Sequence, residues 1–437
     1  MGNLLGAPVT EKETHVGESE DGLKFGVSSM QGWRIHMEDA HVAECRLYAA
    51  ELEETAGATN GETKPKDGNS KTYKHIELPG HSIFAVFDGH GGTFAAQYSG
   101  RNLCRVLSRQ PKFVKYAKFM EERAEKEKLL TKSRERVQYI TTGLEYIEGA
   151  LRDTFVELDM EIASALQGSR IPEADQPYHE EKPQGDGGGP AGMDTSGDPQ
   201  QDALSEADST LQLLDKEGDS GTTACVVVVA PQWVVCANAG DSRSVFSKHG
   251  HKAVPLSYDH KPDDEEEERR IRAAGGYVAG GRVEGDLAVS RGLGDFRFKN
   301  MATVLAGATG QKDKTSGDQM VEPEDQKVSP VPDVIIQNRS ADKDEFIIVA
   351  CDGIWDVQTN YEAVKSVAEM FEEGESNLGL ICEEMCDTCL NMGSKDNMTT
   401  LVIKFEGQPV GNGGGVTARR QQRDSSQPNN DNQQQPS

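Results

Sequence analysis

Short apolar runs that stop at an acidic residue beside glycine are the recurring pattern of this chain. Ser82-Ile83-Phe84-Ala85-Val86-Phe87 runs directly into Asp88-Gly89-His90-Gly91-Gly92. Its length and its β-branched and aromatic content predict a buried strand that delivers a carboxylate and an imidazole to a glycine-permitted bend. The run 346–351 leads in the same way into Asp352-Gly353, and the run 233–240 into Asp241. Asp396-Asn397 stands just ahead of the strand-like stretch 399–405. Four carboxylates from distant parts of the chain therefore fall at strand ends. Gathering them is electrostatically costly unless a cation compensates. The pattern predicts a metal site.

Helical spacing fills much of the rest. A first strand is expected over 23–29. Phe94, Ala95, Tyr98, Leu103, Val106 and Leu107 predict a helix that begins at the glycine turn. Within the charge-rich span 112–166, Leu144, Ile147, Leu151, Phe155, Leu158 and Ile162 form one apolar stripe, read as core packing. Thr222–Ala230 and Trp233–Ala237 form a hairpin candidate. In 263–272 the acids come first and the arginines last, ahead of Gly275-Gly276, as in a helix matched to its own dipole. Two more helices are expected over 360–371 and 378–391. Residues 1–22 read as a polar N-terminal arm and 50–80 as a surface loop. Residues 168–219, dense in Pro, Gly, Asp, Gln and Ser, read as a disordered insertion, 301–330 as an expanded loop and 407–437 as a disordered tail. The strand-end carboxylates lie on both sides of the insertion, so one domain is expected over 23–406.

Composition narrows the partners. The 437 residues carry a net charge of −27, from 46 basic and 73 acidic residues, which argues against nucleic acid and suits a divalent metal. Mean hydropathy is −0.62, low for a chain folded throughout. No run of about 18 apolar residues is present to span a bilayer. Gly2 could accept a myristoyl group and give weak membrane attachment, although Gly6 stands where the usual pattern has Ser or Thr. The eight cysteines read as reduced and buried. Cys382, Cys386 and Cys389 have helix-face spacing and lack a completing zinc ligand.

Glu38, Asp88, Asp241, Asp352, Asp356 and Asp396 are all oxygen donors, a set that suits Mg²⁺ or Mn²⁺. Six carboxylates exceed the needs of one ion, and a pair of ions about 3.5–4 Å apart sharing a carboxylate would use them. A water between the ions could then attack phosphorus in line. Arg34 offers a fork for phosphate oxygens and His90 a proton for the departing oxygen. Taken singly, Arg34 reads as a surface ion pair, Asp396-Asn397 as a turn and Asp352-Gly353 as a hairpin bend. Their joint occurrence at strand ends favours a site.

The motifs Ser29–Arg34, Met37–His41, Phe87–Gly92, Gly240–Arg243, Asp259–Pro262, Leu287–Phe296, Cys351–Asp356 and Ser394–Thr399 follow one another in the order found in the metal-dependent protein phosphatases of type 2C. The chain resembles that family over nearly all of 23–405. The resemblance implies an α+β fold: a central sandwich of two antiparallel β-sheets, α-helices on both sides, and a binuclear metal cleft at one end. It implies that Asp88 bridges two Mg²⁺ or Mn²⁺ ions and that Gly89 offers its carbonyl. Asp352 and Asp396 would complete one shell, Glu38 would serve the second ion, and Asp241 and Asp356 a weaker third. Asp39 would support the shell, Arg34 would hold phosphate and His90 would be the general acid.

The expected activity is hydrolysis of phosphoserine and phosphothreonine in phosphoprotein substrates, by a monomer of the cytoplasm or nucleus. The alternative is a catalytically silent scaffold of the same fold that binds phosphoproteins. A calcium-binding module fits poorly, because the acidic residues are scattered and form no compact loop.

Overall fold

Residues 4–53, 72–166, 219–301, 303–304 and 321–426 are described by the computed structural model of the chain. Ser82–Phe87 is a strand with all six residues buried, because it lies inside a sheet covered on both faces. Its side chains alternate. Phe84 and Val86 join Val227, Val349 and Leu401 in a core between two sheets, while Ile83, Ala85 and Phe87 face a layer of helices. Burying each of the Phe, Ile, Val and Leu side chains contributes about 1.5–3 kcal/mol.

The sheet holding this strand has the spatial order Asp333–Asn338, Trp233–Ala239, Ala224–Val229, Ser82–Phe87, Ala40–Glu44. Its pairings are antiparallel, with Ala85 opposite Val226 and Val226 opposite Ala237. The facing sheet runs Leu4–Glu18, Lys24–Arg34, Met398–Lys404, Asp344–Ala350, Arg243–Lys248, Lys252–Pro255, again antiparallel. Helices α1 (Phe94–Arg109), α2 (Pro111–Leu129) and α3 (Ser133–Leu166) cover the first sheet. A short helix α4 (Glu265–Ala273) lies in the connection between the sheets' strands. The second sheet is covered by α5 (Asp352–Trp355), α6 (Asn360–Glu372) and α7 (Leu378–Met392). The α+β sandwich with helices on both sides is thus present. No helix among the described residues is long and apolar enough to cross a membrane.

Parts of three expected irregular segments belong to regular elements. Residues 4–18 are not a free arm but an edge strand paired with Lys24–Arg34 from Leu4 opposite Arg34 to Glu18 opposite Lys24. The span 50–80 is bounded by an antiparallel pair, Leu47–Leu52 with Tyr73–Leu78; residues 54–71 lie outside the described residues. Residues 415–426 of the expected tail form helix α8 (Gly415–Ser426). Arg419 grips Glu373 through two 2.8 Å hydrogen bonds, and Arg420 and Arg423 close on Glu384, which is buried in α7. The insertion at 168–219, all but residue 219, the centre of 301–330, the tail beyond 426 and Gly2 lie outside the described residues. All eight cysteines are free, and Cys382, Cys386 and Cys389 pack in the core beneath α7, as their spacing predicts.

Candidate metal centre

The strand ends meet. Asp88 follows Phe87, Asp241 lies two residues past Ala239, and Asp352 opens α5 two residues past Ala350. One carboxylate oxygen from each of Asp88, Asp241 and Asp352 lies within 4.8 Å of the other two. Asp39, Asp88 and Cys351 make a second such group, so Asp88 belongs to both. The turn that carries Asp88 depends on Gly89. A Cβ there would stand 2.2 Å from the Glu38 carbonyl oxygen, so only glycine lets the 38–39 segment lie against it.

This proximity is visible in the ionisation of the groups. Burial, and then the charges of Asp352, Asp39, Asp241 and Asp396, push the Asp88 carboxyl well above the usual carboxylate range. Asp352 is raised well above that range by burial and by Asp241, Asp396 and Asp356. Burial raises Asp39 to about 7, against the hydrogen bonds from Thr399 and Cys351. One Asp39 oxygen accepts from the Thr399 hydroxyl at 2.6 Å, while the other is buried with no partner among the described residues. Such a cluster is what a hard cation relieves. Burial, then the charges of Asp39 and Asp88, push the Cys351 thiol well above its ordinary range, and its Sγ lies 3.5 Å from the Asn397 carbonyl and accepts from the Thr399 N–H at 3.1 Å.

Glu38, Asp356 and Asp396 sit at the margins of the cluster. A Glu38 oxygen accepts from the Gly92 N–H at 2.9 Å, and burial, partly offset by Lys261, raises Asp356. Asp396 is held 2.5 Å from the Arg34 guanidinium. Arg34 is therefore not a free cation. Burial works against its charge, yet Asp396 first, then Asp352 and Asp88, hold its pKa above the ordinary value. Lys261 pairs with Asp241 in the same way, Nζ to Oδ2 at 2.5 Å, and its pKa is raised although burial opposes this. His90 lies on the same rim, with Nε2 2.8 and 2.9 Å from the two oxygens of Asp295. Burial would lower its pKa, but Asp295 overcomes this and raises it.

Sequence reasoning missed these counter-charges. Asp295 falls inside a quoted motif, yet nothing local ties it to a histidine 205 positions away. Asn397 was also missed as a scaffold. Its side-chain amide donates to the carbonyls of Gln31 and His36 at 2.9 Å and accepts from the Glu38 N–H at 3.0 Å, fixing the turn that carries Arg34 and Glu38. An Asn that follows an Asp before a strand is the available signal, and it points equally to an ordinary turn.

Comparison with known proteins agrees with this architecture. The family described as "Protein phosphatase 2C" matches residues 23–165 and 193–398. Protein phosphatase 2C homolog 2 of Hypocrea jecorina is 35% identical over 93% of this chain and 67% of its own length. A probable protein phosphatase 2C of Caenorhabditis elegans, T23F11.1, is 35% identical over 92% of this chain and 80% of its own. Among solved structures, a serine-threonine phosphatase 2C from Toxoplasma gondii superimposes with a TM-score of 0.55 at 17% identity, covering 90% of this chain and 99% of that one. That likeness concerns the fold. With the family matched over most of the chain and over every strand-end carboxylate, the chain belongs to the protein phosphatase 2C family.

Proposed function

We propose that the protein hydrolyses phosphoserine and phosphothreonine in phosphoproteins with the help of two Mg²⁺ or Mn²⁺ ions. The observation that carries this reading is the Asp88–Asp241–Asp352 cluster, whose carboxylates repel one another while Arg34 and His90 stand at its edge. Asp88 would be shared by both ions. Asp352, Asp396 and the Gly89 carbonyl would complete one shell, Glu38 would serve the other ion, and Asp241 with Asp356 a weaker third. When bound, the ions supply Lewis-acid polarisation of the phosphoryl group and a water acidic enough to attack phosphorus in line.

The chain's own residues do the rest. Arg34 spends one N–H donor on Asp396, and its other donors can take phosphate oxygens. His90 gives a proton to the departing seryl or threonyl oxygen. The test is turnover of a phosphothreonine peptide with Mn²⁺, with EDTA and by Asp88→Asn. Loss of turnover in both of the last two supports the reading, and full activity under chelation refutes it.

A further inference from the structure

His90 and Asp295 meet through a small three-stranded sheet built from Gly89–His90, Gly221–Thr222 and Leu293–Gly294. His90 lies opposite Gly221, and Gly221 opposite Gly294. Asp295, the next residue, is one of the few non-glycine residues among those described with left-handed backbone, φ 52° and ψ 40°. That conformation is costly for an L residue and persists only where the surroundings enforce it. Here they do. Its N–H donates to the Ser220 carbonyl at 3.2 Å, and its carboxylate, 4% exposed, lies against the Gly221 backbone, where a Cβ would stand 2.2 Å from Oδ2.

The loop is anchored from behind by α3. Asp159 accepts from the Gly294 N–H at 2.8 Å and from Lys299 Nζ at 2.7 Å, and Lys299 donates also to the Gly292 carbonyl. Both members of this ion pair are enclosed, at 0% and 2% exposure. A buried ion pair is a poor source of stability but a good source of fixed geometry.

A carboxylate can only accept, so Nε2 of His90 is the donor to Asp295. Among the described residues Nδ1 makes no hydrogen bond, and the side chain is 31% exposed. We propose that Asp295 is the positioning residue for His90, that the Asp159–Lys299 pair fixes the loop bearing it, and that Nδ1 is the nitrogen that protonates the leaving group. This rests on the reading of His90 as the general acid. In the step, the P–O bond to the seryl or threonyl oxygen breaks with its electron pair going to that oxygen. The Nδ1 proton passes to the same oxygen, the attacking water's oxygen bonds to phosphorus and releases one proton to solvent, Nδ1 regains a proton from solvent before the next turnover, and His90 keeps its Nε2–H on Asp295 throughout.

The test uses the full-length, Mn²⁺-loaded protein on phenyl phosphate, a poor leaving group, and 4-nitrophenyl phosphate, a good one. Asp295→Asn should lower kcat about tenfold or more on the first and at most about threefold on the second, with KM unchanged. It should add nothing in a His90→Ala background. Gly221→Ala, which keeps both side chains but pushes the carboxylate aside, should show the same bias. Equal slowing of both substrates by Asp295→Asn, or a full additional effect in His90→Ala, overturns the positioning role. Should His90→Ala itself slow both substrates equally, the general-acid reading falls instead. Nitrogen-15 shifts of His90 in the wild-type Mg²⁺ form check the assignment without any variant. A protonated Nε2 supports it, and a bare Nε2 overturns it.

Discussion

The strand that ends in Asp88 begins beside a buried histidine, and acid should loosen the fold there. His81 is 1% exposed. Its Nδ1 lies 2.9 Å from the Pro79 carbonyl and its Nε2 2.9 Å from the Tyr116 hydroxyl, which also accepts from Trp233 Nε1 at 3.0 Å. The carbonyl can only accept, so Nδ1 carries the proton, and Nε2 accepts from the tyrosine. A second ring proton would turn Nε2 into a donor facing an O–H that has no other outlet. Burial lowers the His81 pKa from 6.5 to about 4, against the help of the Pro79 and Leu78 carbonyls.

Between those values the unfolded chain binds a proton that the fold refuses, so stability is full above pH 6.5 and is lost as pH falls towards 4. At 1.36 kcal/mol per unit, the loss by pH 4.5 is roughly 2–3 kcal/mol. The assay is urea unfolding followed by tryptophan fluorescence at pH 7.5 and 4.5, comparing wild type with His81→Gln, which keeps an acceptor and a donor but cannot titrate there. The gap between the two proteins should shift by that amount in favour of the variant at low pH. A gap that stays constant with pH would show that His81 takes up its second proton as readily in the fold as in the unfolded chain, and the network as described would be wrong.

Three further outcomes follow from the site. Asp88→Asn should abolish measurable turnover, whereas Asp356→Asn, at the margin, should cost about 10–100-fold; steady-state rates on a phosphopeptide at saturating Mn²⁺ decide between equal and unequal losses. Arg34→Ala should raise KM more than it lowers kcat, and a pure kcat defect would remove Arg34 from phosphate binding. Gly89→Ala forces a methyl against the Glu38 carbonyl and should destabilise the protein by about 1–3 kcal/mol, read by thermal melting, together with a loss of Mn²⁺ binding measured by calorimetry.

The strand-end carboxylates were legible because several continuous apolar runs end at, or begin just after, an aspartate, a recurrence that no single turn or bend explains, and the helices under Cys382–Cys389 and over 144–162 were legible because their apolar faces repeat. Residues 4–18 were not. An edge strand held by backbone hydrogen bonds needs no apolar alternation, and its side chains are mostly exposed. Helix α8 escaped for a related reason: its arginines and glutamines look like a solvated tail until Glu373 and Glu384, 36–46 residues earlier, are placed beneath them. The counter-charges of the cleft, Asp396 on Arg34, Lys261 on Asp241 and Asp295 on His90, are tertiary facts with no periodic signature.

The edge strand has a practical consequence for anyone who labels this protein. Its first described residue, Leu4, lies opposite Arg34 in the sheet, so the chain enters the described fold beside the arginine proposed to hold phosphate. On the proposed reading, a tag, a fluorophore or an acyl chain joined ahead of Leu4 would approach the side of the sheet that carries Arg34, whereas one joined beyond α8 would approach from the helix layer that covers that sheet. The position of a fusion becomes a variable of the assay, and kinetics taken on an N-terminal fusion report on the cleft together with its new neighbour.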